Sequence, residues 1–130
     1  MSLKEDTLHR FVDVVRPYLV DQAKAGNTVT YGKLASACRL PKQRTPDIIG
    51  AVSEYEDEHH RPLLSAIVVN GSTQLPGAGF FGLPGIPEIL RWRRGERVMP
   101  AVTQGRKRFA RFEQACVFYY WWVHGDDPVS

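Results

Sequence analysis

The stretch from residue 61 to 85, Arg-Pro-Leu-Leu-Ser-Ala-Ile-Val-Val-Asn-Gly-Ser-Thr-Gln-Leu-Pro-Gly-Ala-Gly-Phe-Phe-Gly-Leu-Pro-Gly, limits the possible folds of this chain more than any other. Leu63 to Val69 is apolar except for Ser65 and ends in β-branched residues. That composition predicts a strand covered on both faces. Asn70-Gly71 follows, a pair that supplies the positive φ angles of a tight hairpin turn, so a second extended segment near Thr73 to Leu75 is expected to fold back on the first. From Pro76 to Gly85 the density of glycine and proline predicts a loop without regular structure.

The residues before this strand read as helical. Asp6 or Thr7 is placed to cap a first helix, and Leu8, Phe11, Val12, Val15 and Leu19 fall on one stripe. Pro17 removes a helical hydrogen bond and predicts a kink or break, with a second piece to about Ala25 before Gly26-Asn27 ends it. Thr30 is placed to cap a short helix burying Leu34, Ala35 and Cys38. Thr45-Pro46-Asp47 then combines a capping hydroxyl, a first-turn proline and an acid, opening a helix through Ile48, Ile49, Val52 and Tyr55. The linker between these helices is basic: Arg39, Lys42 and Arg44. Two short helices, a strand and a hairpin, in that order, make a winged helix-turn-helix the expected core, and a helical course for Leu63 to Val69 would be incompatible with it.

Beyond the glycine loop comes Pro87-Glu-Ile-Leu-Arg-Trp-Arg-Arg-Gly-Glu96. The chain then turns through Pro100 and Gly105 into an amphipathic helix from Arg106 to about Tyr120, on which Phe109, Phe112, Cys116, Val117 and Tyr120 recur at helical spacing. Its cations would lie at the N-terminal end, where the helix dipole disfavours them. Five consecutive aromatics, Phe118 to Trp122, are too many for one helix face. They cover the first helix or a partner, or form a strand.

A family resemblance rests on Gly26-Asn-Thr-Val-Thr-Tyr-Gly-Lys-Leu-Ala35, Ile49-Gly50-Ala51, the strand ending Val68-Val69, the glycine loop with Phe80-Phe81, and Pro87-Glu-Ile-Leu-Arg-Trp-Arg-Arg-Gly-Glu96. In order and spacing this resembles the DNA-binding domain of the O6-alkylguanine alkyltransferases and alkyltransferase-like proteins. The resemblance implies a winged-helix DNA binder closed by a short helix over residues 87–96, with Tyr31 at the position that presses on a phosphate while a base is extruded. A packed aromatic is the other reading of Tyr31. The family's Pro-Cys-His-Arg-Val-Val is here Leu64-Ser65-Ala66-Ile67-Val68-Val69, so the alkyl-accepting cysteine and its histidine are missing and alkyl transfer is excluded. Ser65 has no His or carboxylate beside it in the strand to serve as a base. The DNA-intruding arginine falls at Asp47, so efficient base extrusion is not expected. The Pro-Leu-Leu-Ser-Ala-Ile-Val-Val-Asn and Leu-Pro-Gly-Ala-Gly-Phe-Phe pattern also resembles bacterial proteins of unassigned function.

At 130 residues and 43% hydrophobic, the chain can bury one core, so a single α+β domain is expected: a winged-helix-like core over 26–96, an N-terminal helix, and a basic, aromatic C-terminal segment over 97–130. No apolar run approaches the roughly 20 residues of a membrane span, and the N-terminus lacks a signal peptide's apolar region, so a cytoplasmic location and no membrane partner are expected. Cys38 and Cys116 lack metal-binding spacing and read as free thiols. Glu56 and His60, four apart on a helix, are a candidate metal pair without a third ligand at motif spacing. Gly77-Ala-Gly-Phe-Phe-Gly82 matches a dinucleotide fingerprint as a string but opens no helix. No cofactor, metal or catalytic set is therefore expected.

Net charge is +3, yet between Arg91 and Arg111 eight cations face one acid, Glu96. Such a field draws polyanions, although a solvated basic face is the plainer reading. Non-catalytic binding of duplex DNA is the expected function, through Tyr31, Lys33, Arg39, Lys42, Arg44, Arg91, Arg93, Arg94, Arg106, Lys107 and Arg108, together with the glycine loop. The alternatives are a protein-interaction module built on the aromatic C-terminus and, third, a small hydrolase or nuclease.

Overall fold

The computed structural model describes residues 5–83, 85–91 and 100–125. The described residues form four α-helices, α1 (Glu5–Lys24), α2 (Tyr31–Cys38), α3 (Thr45–Glu58) and α4 (Pro100–His124), and a two-stranded sheet of β1 (Val29–Thr30) and β2 (Val68–Val69). The class is α+β with helix dominant. No described helix is long and apolar enough to cross a membrane.

α1 runs unbroken through Pro17, contrary to the expected interruption. Pro17 and Asp13 both face solvent, so the carbonyl deprived of its helical partner lies on the wet side. The helix ends as Gly26-Asn27 predicts: Gly26 is left-handed at φ 73° and Asn27 N–H bonds Gln22 O at 2.9 Å. α2 and α3 end in the same six-to-one closure, Leu40 N–H to Ala35 O and Arg61 N–H to Glu56 O. There the left-handed residues are Arg39 and His60, not glycine, which hides the two stops from a sequence reading. Thr30 caps α2 as expected, accepting the Lys33 N–H at 3.2 Å. Thr45 does not cap α3. It is the first helical residue, and its hydroxyl donates back to Pro41 O at 3.0 Å.

The central run is buried as predicted but is not one strand. Leu63 to Val69 are all inaccessible, yet Leu64–Ile67 form a 3-10 turn and only Val68–Val69 pair, in parallel with Val29–Thr30. The Asn-Gly hairpin is also corrected. Neither Asn70 nor Gly71 takes a positive φ; Gln74 does, at 58°, and two bonds, Asn70 N–H to Leu75 O and Gln74 N–H to Asn70 O, close a wider turn. Among the described residues there is accordingly no β-hairpin wing. The loop expected to lack regular structure contains a 3-10 turn at Ala78–Gly82.

Side chains from distant helices hold the 3-10 turn. Ser53 Oγ accepts the Ser65 N–H at 3.0 Å and donates to Ser65 Oγ at 2.6 Å. Gln114 Nε2 donates to Ala66 O at 3.0 Å, and the Glu113 carboxylate accepts the Leu63 N–H at 2.9 Å. Burial raises the Glu113 pKa, the Leu63 N–H opposes that, and the charge of Asp57 adds to it. A carboxyl raised in the folded state binds its proton more tightly folded than unfolded, so its contribution to stability falls as pH rises through the shifted pKa. The stability of the native chain relative to Glu113→Gln should therefore grow as pH drops from about 7 to about 4 in urea titrations. A pH-independent difference would contradict the assignment.

A second long-range cluster sits between α1 and α3. Glu56 is fully buried and accepts from Arg16 Nε and Nη2 at 3.1 and 3.3 Å and from Arg61 Nε and Nη2 at 3.2 and 2.8 Å. The Tyr55 ring lies 5.2 Å from the Arg16 guanidinium and 5.4 Å from that of Arg61, and Trp121 closes over Arg16 at 5.5 Å. Trp121 itself is buried with no acceptor for its indole N–H among the described residues.

α4 starts at Pro100 and passes through Gly105, where a turn was expected. The cations from Arg106 onward thus lie beyond its first turn, and the conflict with the dipole largely disappears. Its inner seam is Ala110, Gln114, Val117 and Trp121.

Candidate nucleic-acid interface and the adjoining cavity

No acid occurs between Asp21 and Asp47, a stretch that contains Lys24, Lys33, Arg39, Lys42 and Arg44. α2 orients the middle of this run: Leu34 and Ala35 are buried against β1 and α1, leaving Lys33 and Arg39 exposed, and the Lys42–Arg44 turn exposes Lys42 with Arg44 half-buried. The left-handed closure of α2 at Arg39 sets where the basic turn departs from the helix.

The second group of expected residues is divided. Arg106 donates to Leu90 O and Arg91 O at 2.9 Å each and lies 5.6 Å from the Phe81 ring centroid. Arg91 contacts Glu88 at 3.5 Å and donates to Ile86 O. The Arg106 guanidinium thus ties the Glu88–Leu90 turn to α4, whereas that of Arg91 stays within its own stretch of chain. Lys107 and Arg108 are exposed on α4, whereas Arg93 and Arg94 lie outside the described residues.

Tyr31 and the glycine loop belong to a different feature. A cavity of about 600 Å³ opens between the first half of α3 and the loop, with Leu8, Ile49, Phe80 and Leu83 as apolar wall and Ser65 and Tyr31 as hydroxyls. Asp47 and Glu54 line it too, and among the described residues no cation does. These two carboxylates disfavour a phosphate at this cavity. Tyr31 Oη accepts the Gly77 N–H at 2.8 Å, which pins the loop to α2, and burial raises the phenol pKa against the effect of that bond. Tyr31→Phe leaves the Gly77 N–H without its acceptor and should cost about 1–2 kcal/mol by urea denaturation. An unchanged midpoint would show that water replaces the phenol freely.

The remaining candidates resolve into structural roles. The partner of Ser65 is the Ser53 hydroxyl, which is no general base. The Glu56 carboxylate is occupied by two arginines, His59 bonds Tyr55 O at 2.8 Å, and no group of three potential metal ligands forms among the described residues. Cys38 and Cys116 are free and half-buried, their pKa values raised by burial. Sequence reasoning missed the clamps from Ser53, Glu113 and Gln114; an isolated polar residue at a buried helical position was the only local signal for Ser53 and Gln114. No protein-family model matches this chain, and no curated protein or solved structure matches it significantly.

Proposed function

We propose that this protein binds duplex DNA without catalysis, contacting phosphates through Lys33, Arg39 and Lys42 on α2 and the turn before α3. The observation that carries this reading is the acid-free run between Asp21 and Asp47, whose exposed cations stand on a helix anchored to the core by Leu34, Ala35 and the Thr30 cap. The reading uses the α2–turn–α3 pair as a helix-turn-helix without a wing. α3 exposes Asp47, Glu54 and Glu58, so it is poorly suited to lie against phosphates or in a groove lined by them. Contacts that neutralise phosphates without reading base edges give affinity with little sequence preference.

The test is a titration of fluorescent duplexes of unrelated sequence over a range of salt. Affinity should fall steeply and linearly on a log-log plot and differ between sequences by less than about tenfold. A duplex carrying O6-alkylguanine should fall within the same tenfold. No binding at about 50 mM salt overturns the proposal.

A further inference from the structure

The outer side of α4 carries a second seam, opposite the buried one. Phe112, Tyr119 and Trp122 are 64%, 67% and 75% exposed, and Ala115 between them is exposed as well. With Arg108 they form the series 108, 112, 115, 119, 122, which advances by alternating steps of four and three, the spacing of a helix that pairs with another along a seam. The series is also nearly symmetric about Ala115, with Arg108 and Trp122 seven residues away on either side, and Phe112 and Tyr119 three and four residues away. A surface that carries its own complement in reversed order is what a twofold interface requires.

We propose that this seam is a homodimer surface, on which two copies of the chain pair their α4 helices antiparallel about a twofold axis at Ala115. The inference takes up the interaction-module reading of the aromatic C-terminus and is independent of DNA binding. Ala115 is small enough to let the helices approach at the axis. Phe112 of each copy packs on Tyr119 of the other, and each Arg108 guanidinium lies over the other copy's Trp122. Charge selects the antiparallel arrangement. Parallel helices would place Arg108 and Arg111 of both copies side by side, whereas antiparallel ones separate the two Arg108 positions by about 21 Å, more than a Debye length at physiological salt. A seam of this length makes a small interface, so the dimer is expected to be weak, with a dissociation constant on the order of 10 μM.

Sedimentation velocity from about 1 to 200 μM, without DNA, should show a concentration-dependent monomer–dimer equilibrium. Tyr119→Lys and Phe112→Lys each replace an exposed side chain and should leave the melting curve intact while weakening the dimer at least tenfold. Orientation is read by disulfide trapping in a Cys38→Ala, Cys116→Ala background: a mixture of Arg108→Cys and Trp122→Cys chains should form the mixed disulfide in preference to either homodisulfide. A chain that stays monomeric at about 200 μM overturns the proposal and leaves the face to a different protein. Association unaffected by both lysine variants, or trapping that favours the homodisulfides, overturns it equally.

Discussion

Glu56→Ala is expected to destabilise this protein by about 3–5 kcal/mol, which in a domain with roughly 5–15 kcal/mol in total removes a large part of its stability. Glu56 is fully buried and accepts four hydrogen bonds from Arg16 and Arg61, whose side chains are themselves only 9% and 11% exposed. Removing the carboxylate leaves two guanidiniums packed on Tyr55 without their counter-charge, and that residual cost, more than the lost attraction, sets the magnitude. The same balance acts on Arg61: burial works to lower its pKa, and the bonds and charge of Glu56, with a bond to Tyr55, outweigh this and leave it raised. Replacing all three residues together by apolar side chains of similar volume should cost far less than Glu56→Ala alone, because no charge is then stranded. Urea denaturation of both variants provides the comparison. A loss under about 1 kcal/mol for Glu56→Ala would mean that water reaches the arginines and that the cluster is not a dry one.

Replacing Lys33, Arg39 and Lys42 together by glutamine should reduce the salt slope of DNA binding by about 2 to 3 units, and weaken binding roughly a hundredfold at about 0.1 M salt. The magnitude follows from counterion release, which contributes about 0.9 per neutralised phosphate to the slope. Glutamine keeps a long side chain and a similar helix propensity at residue 33, so α2 should survive with its Thr30 cap and its buried Leu34 and Ala35. The same charge removal at Lys107 and Arg111 on α4 is the control. If the slope responds there and not on α2, the contact belongs to the C-terminal basic group and the helix-turn-helix reading fails. Tyr31→Phe should leave DNA affinity within about threefold, since its hydroxyl is engaged by Gly77 on a cavity lined by Asp47 and Glu54.

Several elements were legible because their causes are local. The apolar stripe of α1, the Thr30 cap, the Gly26-Asn27 stop and the burial of Leu63 to Val69 each follow from the order of a few neighbouring residues. The site was less legible. The basic linker with Arg39, Lys42 and Arg44 could be read from the sequence, but nothing in the spacing of Arg91 and Arg106 says that their guanidiniums bind backbone carbonyls of residues 86–91. On α4 this concerns Arg106, while Lys107, Arg108 and Arg111 are exposed.

Sequence alone determined where α2 begins, which stripe of α1 turns inward, and that residues 63–69 lie in the core, since capping, periodicity and apolar runs act over one or two turns of chain. It did not determine the start of α4 at Pro100 or the outward turn of Phe112, which was expected on the inner stripe of that helix. Tertiary structure decided that Leu64–Ile67 coil rather than extend, because Ser53, Glu113 and Gln114 supply hydrogen-bond partners to that segment and no antiparallel neighbour stands beside it among the described residues. It also decided that Glu56 is an ion-pair centre instead of a metal ligand, since the arginine that meets it most deeply is 40 residues away. The five aromatics of α4 were divided in the same way, Trp121 against Arg16 in the core and Tyr119 and Trp122 outward. Each of these outcomes depends on which distant surface arrives, and burial free energy, unlike a helix cap, has no address in the local sequence.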